Sequence, residues 1–289
     1  GYLAEELIIH LLKYIDENNL DSQKVKGSVD YDPMGNKTVT GKCYSHKDGD
    51  CKFSNMFVNL VKLSEEALPN FRILTVNAQH FRNAGSTAVQ ELAFAMAMGS
   101  DYLEKAEKAG IGIDSAASKM KFSFAVSSDY FIEISKIRAA RLLWAKIVEA
   151  YGAEDKASCD MYIHSVNCDW NKTAYDPYVN VLRITTEAMS AILGGTDSLS
   201  VTPFDSAFEK PDDFSKRISR NIQIILKEEA YFDKAVDPAG GSYFIENLTN
   251  EIAEHAWELF KEIEDEGGYH QAFDKGIIKS KIEDIAQQR

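Results

Sequence analysis

The chain has 289 residues, 45% hydrophobic, 11% aromatic and 27% charged, with 32 Lys and Arg against 45 Asp and Glu and a formal net charge of −13. This composition excludes a disordered or collagen-like protein and supplies enough apolar residues for a large core. The acidic excess has no segregated basic patch, which argues against a nucleic-acid partner; no apolar run reaches the roughly 18 residues of a membrane-spanning helix, so no membrane partner is expected.

The start, Gly1-Tyr2-Leu3-Ala4-Glu5-Glu6, lacks the basic and apolar regions of a signal peptide, and also an initiator Met, as expected of a piece of a longer chain. Helical spacing follows over residues 3–17, then a β-rich run over 25–30. Residues 32–53, with Pro33, Gly35, Gly41 and Gly49, read as a long loop. Further on, helices are predicted over 55–68 and 87–109, the second stopped by Gly110, around a strand at 73–77. After a strand at 122–126 comes the clearest helix, capped by Ser128 or Asp129, with Phe131, Ile134, Ile137, Leu142 and Trp144 at roughly helical intervals. Strands at 161–166 and 199–202 alternate with helices at 177–194 and 214–229, the latter with a face of Ile218, Ile222, Ile225 and Leu226. Helices over 248–266 and 269–287 complete the chain.

Strands alternating with helices predict an α/β fold with a parallel sheet. There is no GxGxxG or GxxxxGK[ST] turn of a nucleotide-binding doubly wound sheet, which favours a (β/α)8 TIM-barrel type. Residues 1–236 are expected to form the barrel portion and 237–289 a helical C-terminal extension packed on it.

In a barrel, chemistry sits at the C-terminal ends of the strands. Those ends supply Asp30 and Tyr31; Asn77, Gln79 and His80; Ser127 and Ser128; His164 and Asn167; Thr202 and Asp205. His80 could serve as an acid or as a hydrogen-bond donor to a carbonyl, or be a satisfied structural histidine. His164 lies within a strand, where a buried, hydrogen-bonded role is expected. Cys43-Tyr44-Ser45-His46 with Cys51 lacks the tight ligand pairs of a zinc site. Asp48-Gly49-Asp50 lacks the twelfth-position Glu of a calcium loop, residue 59 being Asn, and reads as a turn. No metal is expected. The cysteines Cys43, Cys51, Cys159 and Cys168 form no CxxC pair and suit free thiols in a reducing cytoplasm. Arg138 and Arg141 could bind an anion, though salt bridges are the commoner use of helix arginines. No GxSxG elbow supports Ser/His/Asp catalysis. The residues alone reach a cytoplasmic barrel with a polar mouth, not a reaction.

Several segments carry a resemblance. Asn83-Ala84-Gly85-Ser86-Thr87-Ala88-Val89-Gln90-Glu91-Leu92-Ala93-Phe94 and Phe131-Ile132-Glu133-Ile134-Ser135-Lys136-Ile137-Arg138-Ala139-Ala140-Arg141-Leu142-Leu143-Trp144-Ala145 resemble segments of methylmalonyl-CoA mutases, as do Asp176-Pro177-Tyr178-Val179-Asn180, Arg220-Asn221-Ile222-Gln223 and Asp237-Pro238-Ala239-Gly240-Gly241-Ser242-Tyr243. The matches run in order over residues 73–289. The resemblance implies an acyl-CoA along the barrel axis and adenosylcobalamin capping the mouth, held by a separate domain with a DxHxxG motif. This chain has no such motif, hence no expected cobalamin-binding domain. The family also has strands before the one at 25–30, implying an N-terminally truncated barrel that covers the later βα units plus the C-terminal helices.

The family's catalytic histidine falls on His80. Its neighbouring tyrosine is Gln79 here, a substrate-contacting glutamine is Asp30, a glutamate near the corrin is Asn83, and a further glutamine and glutamate are Val166 and Ser206. By resemblance, Asp30, Gln79, His164 and Asn167 are candidate substrate contacts in a degenerate pocket, while Asn83, Val166 and Ser206 replace cobalamin-contacting types, so no cofactor is expected in this chain. Some members are heterodimers of a catalytic large subunit and a homologous small subunit that does not bind cobalamin. The segment 25–33 resembles the latter form. The implied role is a non-catalytic subunit that stabilises a large partner, which carries adenosylcobalamin and interconverts methylmalonyl-CoA and succinyl-CoA. The alternative is the barrel portion of an active acyl-CoA mutase working with a separate cobalamin-binding chain; an unrelated barrel enzyme would need a site among His80, His164 and Asp205.

Overall fold

Short β-branched and aromatic runs form parallel strands, and the amphipathic segments between them form helices that cover one face of the sheet. A computed structural model describes residues 3–41 and 53–288. In chain order the elements are α1 (Ala4–Glu17), β1 (Gly27–Ser28), α2 (Pro33–Thr40), α3 (Phe53–Ala67), β2 (Phe71–Arg72), β3 (Leu74–Asn77), α4 (Gln79–Asn83), α5 (Ala88–Lys108), α6 (Ile113–Ser118), β4 (Met120–Val126) and α7 (Tyr130–Ala150). There follow β5 (Ile163–Asn167), α8 (Val179–Leu193), β6 (Ser198–Ser200), α9 (Asp213–Glu228), α10 (Tyr243–Asp265), α11 (Gly268–Asp274) and α12 (Ile277–Ala286).

The strands β3, β4, β5 and β6 form a parallel sheet in that order, and β1 pairs in parallel with β2. Beyond β1 the chain stays alongside, because Val29 N donates to Arg72 O at 2.9 Å and Thr75 N to Tyr31 O at 2.9 Å. This parallel α/β arrangement is compatible with part of a (β/α) barrel.

Alternation along each strand separates two faces. Register places Thr75, Asn77, Lys121, Ser123, His164, Val166 and Ser198 on one face; Leu74, Val76, Phe122, Phe124, Ile163 and Asn167 lie on the other. The second face is the core side, where Phe122 meets Trp144 of α7 edge to face at 4.6 Å. The first is polar. Outside the first helical layer, α10 packs along α5 and α7, and α11 along α5.

Several expectations need correction. The predicted loop contains α2: Pro33 occupies its first turn and the Asp32 carboxylate caps it by accepting from Gly35 N at 2.7 Å. Residues 42–52 of that loop, which include Cys43 to His46, the turn 48–50 and Cys51, lie outside the described residues. The last predicted helix is two, because the chain turns through Gly276 at φ 78°, a left-handed conformation that a side chain would strain. α10 starts at Tyr243 rather than 248, and the short α4 was not foreseen. On α7, Asp129 is the cap position but its side chain makes no cap bond. Phe131 and Leu142 are 52% and 42% exposed, so the buried stripe follows Ile134, Ile137, Ala140, Trp144 and Ile147 instead. On α9, Ile225 is exposed while Ile222 and Leu226 are buried. Among the described residues no helix is long and apolar enough to cross a membrane.

Candidate functional site

The C-terminal ends of the strands bring four of the predicted residues together: Asp30, Asn77, Gln79 and His80. Asn77, at the end of β3, donates through Nδ2 to Asp30 Oδ1 at 2.9 Å. Gln79 opens α4 and accepts a hydrogen bond from the Ser123 hydroxyl of β4. His80 follows, half-buried, and its ring nitrogens have no hydrogen-bond partner among the described residues. It lines a cavity of about 250 Å³ with Asp30, Asp32, Asn36 and Asn77. It also lines a second, more apolar cavity of about 620 Å³ that reaches Phe273, Ile278 and Ile282 beneath α12. A free imidazole between a polar chamber and an apolar one can donate to a carbonyl oxygen or accept a proton.

α2 roofs the polar chamber, and Asp32 fixes it there. This buried carboxylate accepts from Gly35 N at 2.7 Å and Tyr102 OH at 2.6 Å through Oδ1, and from Asn77 N at 2.8 Å through Oδ2. It thereby ties the stretch after β1, α2, the end of β3 and α5. Burial pushes its pKa up, against the hydrogen bonds from Tyr102, Gly35 and Asn77. Residue 35 must be glycine, since a Cβ there would collide with the Asp32 carboxylate.

The other predicted residues are placed differently. His164 shares the polar face with Ser123, its cross-strand partner, and its Nδ1 lies 2.8 Å from Ser198 Oγ. Burial pushes its pKa down, Lys121 adds to this and Asp30 opposes it. Lys121 donates to Ser28 Oγ at 3.0 Å. Asn167 is on the core side: its Nδ2 donates to Glu187 Oε2 at 2.7 Å and its Oδ1 accepts from Thr202 N at 3.1 Å. It does not join the mouth. Asn83 spends its amide on Asp169, accepting from the backbone N–H at 3.0 Å and donating to the carboxylate at 3.4 Å. Val166 is half-buried on the polar face. Ser206 is half-buried in the turn after β6, its N–H bonded to Pro203 O at 3.1 Å. Asp205 is buried in the same turn. Ser127 is buried, and Ser128 helps line a small cavity beside it.

A buried ionic network behind His80 was not foreseen. Lys136 Nζ, with its side chain 0% exposed, lies 2.6 Å from Glu91 Oε2 and 2.5 Å from Glu133 Oε2, and donates to Ala125 O at 2.5 Å. Glu91 Oε1 accepts from Ala125 N at 2.7 Å. Arg82, two residues after His80, donates to Ser127 Oγ at 2.7 Å, Ser86 O at 2.6 Å and Glu133 Oε1 at 3.2 Å. Burial works against each charge. For Lys136, Glu133 and Glu91 more than offset it and raise the pKa; for Glu133, Lys136 and Arg82 offset it and lower the pKa, so both stay ionised. The signal was available on α7, where Glu133 and Lys136 fall on the same stripe as Ile137, Ala140 and Trp144. Arg138 and Arg141 take the salt-bridge option: Arg138 bonds Asp237 and Glu246, and Arg141 lies 2.9 Å from Asp197.

Residues 3–289 match the family model described as methylmalonyl-CoA mutase. The methylmalonyl-CoA mutase small subunit of Porphyromonas gingivalis is 43% identical over 280 residues, 96% of this chain and 44% of that protein. The small subunit of Streptomyces virginiae is 37% identical over 94% of this chain and 43% of its own length. The large subunit of P. gingivalis is 41% identical over 80% of this chain and 32% of its own length. The chain thus spans less than half the length of the curated relatives it matches.

Proposed function

Because the chain belongs to the methylmalonyl-CoA mutase family, we propose that it is part of the non-catalytic small subunit of a heterodimeric mutase, stabilising a homologous large subunit that isomerises methylmalonyl-CoA and succinyl-CoA. The observation that carries this reading is the contrast at α4: Arg82 is tied into a buried ionic scaffold with Glu133 and Lys136, while the position before His80 holds Gln79, whose amide oxygen accepts from Ser123. An amide so held offers no aromatic face with which to shield a reactive radical. The small-subunit names of two similar proteins, and the presence of large-subunit counterparts in the same organisms, support the pairing.

Adenosylcobalamin, the family's radical-generating cofactor, does not suit the residues at the mouth. Asn83 is consumed by Asp169, and Val166 and Ser206 bring no carboxylate or amide to a corrin. In this reading the partner holds the cofactor, and no step runs through this chain. The exposed stripe of Leu3, Leu7 and Tyr14 on α1, beside the buried Ala4 and Ile8, supports a barrel closed by further βα units along that margin. Residues 237–289 then act as an outer helical extension, and the complex works in the cytoplasm.

The test is His80→Ala in the complete small chain, assembled with its large partner. Unchanged turnover is expected. A loss of a hundredfold or more would instead assign catalysis to this chain, the second reading, whose support is the retained His80 with its unpartnered ring.

A further inference from the structure

We propose that the cavity of about 620 Å³ beneath α12 is a binding site for a medium-length acyl chain, with the carbonyl end beside His80 and the hydrocarbon between α4 and α12. It adjoins the polar chamber, with which it shares His80 and Val39.

The way the last helices are joined leaves this space open. At Gly276, φ 78°, the chain leaves the line of α11 and starts α12. The far end of α12 lies close against the turn after α4: a Cβ on Gly85 would stand 2.9 Å from that of Ala286. Midway, Gln90 Nε2 of α5 donates to Lys281 O at 2.8 Å. With α12 pinned at these points, the gap between its first turns and α4 is walled by Val39, Phe81, Ala84, Phe273, Ile278 and Ile282. Phe81 is itself fixed edge to face against Phe94 at 5.1 Å and Tyr269 at 5.9 Å. The walls are therefore set by the fold, and a preformed gap of this volume lined mainly by carbon is the usual form of a small-molecule site. Exposed Val39, Ala84, Lys279 and Glu283 among its lining residues open it to solvent.

Polarity is divided along the space. His80 belongs both to this cavity and to the chamber that holds Asp30, Asp32 and Asn77. A ligand matched to that division has a hydrogen-bond acceptor at one end for the imidazole and an uncharged, flexible body for the apolar walls. An acyl chain meets both demands. A propionyl group would occupy the His80 end and leave the walls beneath α12 uncovered, whereas an eight-carbon chain extends along them. Family membership makes a CoA thioester one source of such a chain; a free fatty acid is the other.

Each methylene moved from water into an apolar site tightens binding by up to about fourfold. Titration calorimetry on the complete chain compares octanoyl-CoA with propionyl-CoA, and octanoate with propionate. In at least one pair the long member is expected to bind about tenfold or more tightly than the short one, with a negative heat-capacity change. A difference confined to the CoA pair assigns the thioester as the source, and one confined to the acids assigns the free acid. Ala84→Trp, at an exposed position, fills the cavity and should bring the members of each pair level. Val39→Asp, also exposed, puts a charge in the same space and should do so without added bulk; it decides alone if Ala84→Trp does not fold. A thermal midpoint within about 2 °C of wild type marks a variant as folded. Equal affinities for long and short members of both pairs, no binding of either long-chain probe, or a ratio that survives in the folded variants would overturn the proposal. Turnover in the complex enters none of these readouts, so their failure leaves the small-subunit reading standing.

Discussion

His80 and Arg82 lie two residues apart on one short helix and meet opposite environments. Arg82, 3% exposed, joins Glu91, Glu133 and Lys136 in a buried network of two basic and two acidic side chains. His80, half-buried, faces two cavities and has no protein partner for its ring among the described residues. A buried ionic network holds the frame of the mouth; the mouth itself is lined by two carboxylates, Asp30 and Asp32. The two residues thus divide one helix between holding the frame and facing open space.

The sharpest way to break the comparison is to remove a charge from the network. Lys136→Met leaves Glu91 without its ion-pair partner and Glu133 with Arg82 alone in the buried interior. Stability should fall by about 3–5 kcal/mol, and thermal unfolding should show a midpoint lower by about 10 °C. Adding Glu91→Gln, which leaves Glu133 paired with Arg82, should restore a large part of that loss. A double variant as unstable as the single one would show that packing, not charge, was lost. Next in size is Asp32→Ala, at the border of the two regions. It strands Tyr102 OH, Gly35 N and Asn77 N, for a loss of about 2–3 kcal/mol, with amide exchange over α2 accelerating more than over α5.

These two sites also mark what the sequence made legible. The strands were readable because each is a short apolar, β-rich run with turn residues after it, and the order of βα units followed. α2 was hidden because Pro33 and Gly35 read as turn residues, when one starts the helix and the other lets the backbone close on Asp32. The Gly276 break was missed because apolar residues on both sides keep a helical rhythm across it. Of the site, Asp30, Gln79 and His80 were legible as strand-end residues, while Asn167 was assigned to the mouth although strand alternation turns it to the core, a distinction that needs the register with β4. The network was overlooked because charged residues on a helix are usually solvated; only their coincidence with the apolar stripe reveals Glu133 and Lys136 as buried.

A third carboxylate group, between α10 and the later turns of the helix that carries Glu91, sharpens the comparison. Glu264 of α10 faces Asp101 and Glu104 of α5, with Lys105 of α5 3.8 Å from Asp101, Tyr151 of α7 and His270 of α11 nearby. Its Oε1 is buried without a partner among the described residues. Burial first, then Asp101 and Glu104, push its pKa to about 7. A carboxyl whose folded pKa exceeds its unfolded value of 4.5 contributes stability below that value and loses it as pH rises through about 7. Between pH 5 and 8 the protein should therefore weaken at this contact. The group is half-exposed, so the change is on the order of 1 kcal/mol once solvent screening is allowed for. Glu264→Gln should raise the midpoint at pH 8 by about 2 °C and leave it unchanged at pH 5; equal effects at both pH values would sink the assignment.

The smallest effect belongs to His80 itself. Its ring has no partner to lose among the described residues and lines cavities instead of filling packed space, so His80→Ala should change unfolding free energy by less than about 0.5 kcal/mol. Arg82→Met, two residues away, should cost several times more, because it strips Glu133 of one of its two cations. The pair of measurements decides whether frame and mouth are energetically separate. If removing His80 destabilises the chain as much as removing Arg82, the imidazole is a structural member of the scaffold, and its survival at this position needs no appeal to a ligand. If His80→Ala is silent, nothing in folding accounts for a half-buried histidine poised between two cavities. Its role must then be sought in what those cavities receive.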